Sequence, residues 1–155
     1  MKLSQQTHNG LKIVYELALR YPDGLSATKL SERMYLSPKY LEKILRPLGK
    51  AGVVSATRGV NGGYQLAAPP EDLTVGRVVR ALEDDMEIVD CVLDPCPLCP
   101  TSAVWRKVYE GINQVLDSMT VKQMMDAAAA EKETTCVCQR SGKNGTDLSG
   151  SCCNH

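Results

Sequence analysis

The sequence predicts a mainly α-helical fold with one small β-hairpin, and three observations carry that expectation. Residues 37–50 read as an amphipathic helix opening on Ser37-Pro38, residues 53–67 as two short β-prone runs around a glycine-rich turn, and residues 105–119 as apolar side chains recurring every three or four positions. In chain order this is a winged helix-turn-helix followed by a long helix.

Each element has its own justification. Leu11, Val14, Tyr15, Ala18 and Leu19 form a helical stripe closed by Tyr21-Pro22-Asp23-Gly24. Ser26 caps a second short helix through Thr28, Leu30 and Met34, so Ser26 to Lys50 becomes a helix-turn-helix with its connection near Tyr35. Ser37 then caps the next helix and Pro38 occupies the first helical position, where a missing amide costs nothing. Leu41, Ile44, Leu45 and Leu48 form its buried stripe, while Lys39, Tyr40, Lys43 and Lys50 project from other faces. Pro47 removes one helical amide, and a kink or a loosened last turn is expected there. Val53-Val54-Ser55-Ala56-Thr57 and Tyr64-Gln65-Leu66-Ala67 read as strands joined by Arg58-Gly59-Val60-Asn61-Gly62-Gly63.

Pro69-Pro70 breaks the chain before a helix marked by Val75, Val78, Val79 and Leu82. From Trp105 onward, Val108, Ile112, Val115 and Met119 form a seam that serves either dimerisation or packing on the chain's own core. Thr120 and Gln123 have the spacing of a capping box for a last helix through the alanine run. Beyond about Glu133 the composition suggests a disordered tail. The expected organisation is a DNA-binding region over 1–70, a cysteine loop with dimerisation helices over 71–132, and a cysteine-containing tail over 133–155.

The net charge is zero, but the charges are segregated. Residues 1–68 hold ten Lys/Arg against four Asp/Glu, and residues 69–99 hold two against eight. A basic N-terminal half with exposed lysines on a short helix suits a DNA major groove, and Arg58 at the wing tip suits a minor groove or phosphate. With 155 residues and 43% hydrophobic content the chain supports one ordinary core. No apolar run reaches membrane-spanning length and the N-terminus lacks a signal-peptide core, so a cytoplasmic protein with no membrane partner is expected.

Seven cysteines in a reducing compartment point to metal or redox ligands rather than a disulfide framework. Cys91, Cys96 and Cys99 fall within nine residues, and Pro95, Pro97 and Pro100 stiffen the segment around them. Thiolates suit an iron-sulfur cluster or zinc, and three ligands are one short of four. Cys136, Cys138, Cys152 and Cys153 are accessory ligands, exchangeable thiols or inert.

The combination of MKLS, LSPKYLEKIL, RGVNGGYQLA, DLTVGRVVRAL, a cysteine loop and a tryptophan-containing helix resembles the Rrf2 family of bacterial transcription regulators over roughly residues 1–130. The resemblance implies a winged-helix homodimer on palindromic double-stranded promoter DNA, crossed through the long helix. Ser37, Lys39, Tyr40, Glu42 and Lys43 occupy the family's recognition-helix positions, and Arg58 and Gly59 match its wing. Tyr40 either contacts phosphate or packs under the helix; Glu42 either reads a cytosine amino group or pairs with a nearby lysine. Lys2 and Ser4 are phosphate contacts or an ordinary exposed terminus.

Many family members hold an iron-sulfur cluster in the cysteine loop, and others sense without one. Here the Cys96–Cys99 interval is shorter than usual, and Ser102 stands where some relatives have histidine. The resemblance offers His8, at a position that supplies the fourth ligand from the partner subunit in other members, against an ordinary surface histidine. The expected function is therefore a regulator, usually a repressor, controlled by a cluster of either two or four irons. The alternatives are a clusterless regulator using zinc or thiol oxidation, and a metal or redox protein. No phosphate-binding loop and no nucleophile with a base argue for an enzyme.

Overall fold

The computed structural model describes residues 3–57, 59, 62–83 and 100–140, with the side chains of 132–140 excepted. The elements are α1 (Gln5–Ala18), α2 (Ala27–Met34), α3 (Pro38–Lys50), β1 (Val54–Thr57), β2 (Gly63–Leu66), α4 (Val75–Leu82), α5 (Ser102–Ser118) and α6 (Val121–Arg140). The chain divides into two units, 1–125 and 126–155. The second holds the C-terminal part of α6.

Four helices begin on a hydroxyl cap. Ser4, Ser26, Ser37 and Thr74 each accept from the amide three residues on, at 3.2–3.3 Å, which satisfies an amide that the helix itself leaves unpaired. At α6 the expected capping box is reciprocal: Thr120 N donates to Gln123 Oε1 at 2.9 Å and Gln123 N to Thr120 Oγ1 at 3.2 Å. α3 runs three residues past Pro47, and Ala51 N bonds Pro47 O at 3.0 Å, so the expected disturbance does not end the helix. Gly52, at φ +66, turns the chain out of it. α6 likewise reaches Arg140, beyond the start expected for a disordered tail near residue 133; residues 141–155 lie outside the described residues.

The apolar stripes meet in one core. Ile13, Val14 and Leu17 of α1, Leu30 of α2, Leu41, Ile44, Leu45 and Leu48 of α3, Val54 and Leu66 of the hairpin and Val78 of α4 are buried together, with Leu73 and Val121 completing it. Each such side chain contributes about 2 kcal/mol through loss of apolar surface from water. β1 and β2 pair antiparallel in the register Val54↔Leu66 to Thr57↔Gly63. Leu25 extends the hairpin by a bridge to Tyr64, with Leu25 N to Tyr64 O at 2.9 Å and Tyr64 N to Leu25 O at 2.8 Å. The backbone entering α2 is thus part of the wing's sheet. A Cβ on Gly63 would overlap the Leu25 carbonyl oxygen, so only glycine permits this approach.

α5 docks on α4 through backbone and charge. Val75 N bonds Met119 O at 2.8 Å, Val121 N bonds Leu73 O at 2.8 Å, and Arg80 pairs with Asp117 and donates to Asn113 Oδ1 at 3.0 Å. Among the described residues, no helix is long and apolar enough to cross a membrane.

Glu83, at the exit of α4, ties that helix to the start of α1. Its Oε1 accepts from Ser4 N at 2.7 Å and from Thr7 Oγ1 at 2.5 Å, and Thr7 is fully buried. Burial pushes the Glu83 carboxyl up, but the Thr7 hydroxyl and the Ser4 amide and hydroxyl outweigh it and hold the group below its ordinary 4.5. A depressed carboxyl stabilises the fold above its unfolded pKa, and that stability is lost as pH falls through the folded value. Glu83→Gln is expected to lower stability by about 1 kcal/mol at neutral pH. In denaturant titrations the gap from wild type should hold above pH 4.5 and shrink below it.

Candidate nucleic-acid interface and cysteine segment

α3 has two faces set by its sequence. Leu41, Ile44, Leu45 and Leu48 are at most 3% exposed. Lys39, Glu42, Lys43, Arg46 and Lys50 all lie exposed on the opposite side. Among the described residues none of these five makes an ion pair, so Glu42 does not pair with a neighbouring lysine. Arg46 was not among the expected contacts, although its spacing of seven from Lys39 places it on the same face. Tyr40 is half-buried and packs against the core, and of its two readings packing is the one with contacts inside the chain.

The wing stands beside this face. Glu42 and Arg46 share a cleft with Ala56 of β1 and Tyr64 of β2. The hairpin closes where Thr57 Oγ1 accepts from Gly63 N at 3.3 Å and Gly62 N donates to Gly59 O at 2.8 Å. Gly59, at φ +121, is exposed at the turn in a conformation that side-chain-bearing residues rarely adopt. Arg58 lies outside the described residues. A short basic helix and a hairpin that shares its core, and that the Leu25–Tyr64 bridge ties to the start of α2, form the kind of surface that a duplex groove and its flanking phosphates require.

The N-terminal candidates separate. Lys2 is outside the described residues, and Ser4 is engaged as the α1 cap and in the Glu83 contact. His8 is exposed on the first turns of α1, and its ring has no hydrogen-bond partner among the described residues. Cys91, Cys96 and Cys99 lie outside the described residues, in the segment that begins directly after Glu83. No group of three or more potential metal ligands occurs among the described residues. The expected dimerisation seam runs along α5 to its C-cap Met119: no residue of α5 is buried, Ile112 is half-buried, and Val108, Val115 and Met119 are 40–61% exposed, as is Val104 outside the expected set. Glu83 and Arg80, which bind distant parts of the chain together, carried no local pattern in the sequence.

Residues 3–127 match the family model of Rrf2, described as an iron-dependent transcriptional regulator. CymR of Bacillus subtilis, an HTH-type transcriptional regulator, is 33% identical over 134 residues, covering 86% of this chain and 96% of CymR. Its solved structure, described as that of the global cysteine regulator, superposes with a TM-score of 0.70 over 82% of this chain and 98% of that one. NsrR of Halalkalibacterium halodurans is 33% identical over 132 residues, 81% of this chain and 90% of NsrR. The structure of T. potens IscR is 36% identical, with a TM-score of 0.67 over 83% of this chain and 88% of its own. These relatives are transcriptional regulators rather than enzymes. With its winged helix-turn-helix and a match over most of its length, the chain belongs to the Rrf2 family of transcriptional regulators.

Proposed function

We propose that the protein is a cytoplasmic, homodimeric DNA-binding repressor whose operator affinity answers to an iron-sulfur cluster held by Cys91, Cys96 and Cys99. The observation that carries the DNA reading is the exposed face of α3, where Lys39, Lys43, Arg46 and Lys50 have no ion-pair partner within the described residues. Lys39 and Lys43 meet phosphates, Ser37 positions the helix start, and Glu42 reads a cytosine amino group. Arg58 and Gly59 carry the wing to the flanking groove, with Lys2 and Ser4 at the outer phosphates. Lys39→Ala is expected to weaken binding to all duplexes alike and to reduce the slope of log affinity against log salt by about 1, measured by fluorescence anisotropy.

The apolar stripe of α5 supports the dimer. Val104, Val108, Val115 and the C-cap Met119 recur at helical spacing along about 22 Å. Among the described residues none is covered by the core, which favours the intersubunit reading of the seam. Two copies so joined place two α3 helices on successive major grooves of a palindrome. Val115→Asp is expected to weaken the dimer at least tenfold in sedimentation analysis, because a carboxylate would be taken out of water at the seam.

The donor chemistry fits an iron-sulfur group: three thiolates, with the exposed His8 of the partner subunit as fourth ligand. When bound, the cluster supplies a redox- and nitrosylation-sensitive charge at the loop. The chain's own part is mechanical: Glu83 fastens the start of the cysteine segment to Ser4 and Thr7 on α1, the helix that carries His8 and packs against α3. A change of ligation at the loop therefore bears on the DNA-binding helices through α1. Similarity to a global cysteine regulator favours a second reading, a clusterless regulator using thiols or zinc.

Anaerobically purified protein is expected to contain iron and acid-labile sulfide, with visible absorption. Cys96→Ala should lose metal and the regulatory response while keeping its thermal transition. Zinc alone, or no metal after reconstitution, would favour the thiol reading; Cys96→Ala protein that kept both metal and regulation would exclude the sensor.

A further inference from the structure

Tyr35 joins α2 to α3 and is unusual in two ways. It is 92% exposed, against 61% for Val115, the next most exposed large apolar side chain among the described residues. It is also the one non-glycine residue with positive φ among the described residues, at φ 52 and ψ 39. Bulky side chains are disfavoured in that conformation, and glycine or asparagine adopts it more readily. The surrounding backbone holds it there. Tyr35 N bonds Glu32 O at 3.3 Å, Leu36 N bonds Ser31 O at 3.1 Å, and Ser31 Oγ donates to Leu36 O at 2.5 Å. The backbone holds an uncommon conformation, the side chain is almost wholly exposed, and its hydroxyl has no partner among the described residues. Strain retained without a packing return is characteristic of functional positions.

The place in the fold says what it meets. Tyr35 lies two residues before Ser37, the cap of the helix assigned to the major groove. When the N-terminal end of such a helix enters the groove, the preceding turn runs beside the groove wall, which is sugar and phosphate. Tyrosine hydroxyls donate to phosphate oxygens.

We propose that Tyr35 is a further DNA contact, its ring lying along a deoxyribose and its hydroxyl donating to a phosphate oxygen beside the half-site. The inference rests on the DNA-binding reading of α3 and extends the interface into the turn. Because the contact is neutral, it adds affinity without releasing a counterion. It therefore leaves a different signature from a lysine.

The test uses the full-length protein and a duplex that the wild type selects from a randomised library. Tyr35→Phe is expected to bind roughly three- to tenfold more weakly, the loss of one hydrogen bond, with an unchanged salt slope. Tyr35→Gly should bind at least as weakly yet melt at or above the wild-type temperature, since it removes the strain. Tyr35→Asn, which also tolerates positive φ, provides a folded variant should glycine loosen the turn. Wild-type affinity in all three, while Lys39→Ala weakens binding, would overturn the Tyr35 contact alone. A wild-type protein that enriched no duplex would overturn the DNA reading and this contact together.

Discussion

The amphipathic division of α3 is the constraint on which the rest of the structure depends. One 13-residue helix must bury Leu41, Ile44, Leu45 and Leu48 and leave Lys39, Glu42, Lys43 and Arg46 in water. The hydrophobic term supplies rigidity from one side of the helix and leaves the other free of internal partners. The charges can remain unpaired because solvent screens them, and a polyanion can replace that solvent. The wing is subordinate to this arrangement. It shares the α3 core through Val54 and Leu66 and is registered to α2 by the Leu25–Tyr64 bridge.

A second set of interactions relates this head to the long helix. α5 contributes no buried residue, yet it is positioned closely. Two backbone bonds flank Thr74 and Thr120, and Arg80 grips Asp117 and Asn113. Backbone bonds of this kind have defined geometry, whereas an exposed ion pair alone contributes at most about 1 kcal/mol. The position of α5 therefore rests chiefly on Val75–Met119 and Val121–Leu73, with Arg80 as a supplement.

Most of the head was legible in the sequence because several local rules coincide there. Ser37-Pro38 marks a start, the leucine and isoleucine spacing marks a face, and the glycines mark a hairpin. Single-residue and long-range links left no such pattern. Leu25 makes a bridge too short to show alternation, and Thr7 and Glu83 meet across 76 positions. Arg46 was readable by spacing alone. α6 runs on to Arg140, as a helix already nucleated through four alanines extends at little cost, and the Gly, Ser and Asn content begins only at residue 141. Of the interface, the α3 face was read directly; the unpaired state of Glu42 and the strained Tyr35 required coordinates.

The anchoring at Glu83 has a consequence for how such a regulator diversifies. Residue 83, the last described before the cysteine segment, is a carboxylate fastened to α1, and α5, which follows the segment, is held to α4 through Asn113 and Asp117. With the elements on either side held in place, the intervening residues can change in number and chemistry at small cost, since loop closure grows only by about 0.6 kcal/mol per doubling of length. The architecture thus resembles a socket, in which one DNA-reading head can be fitted with different detectors by exchanging a single stretch of chain.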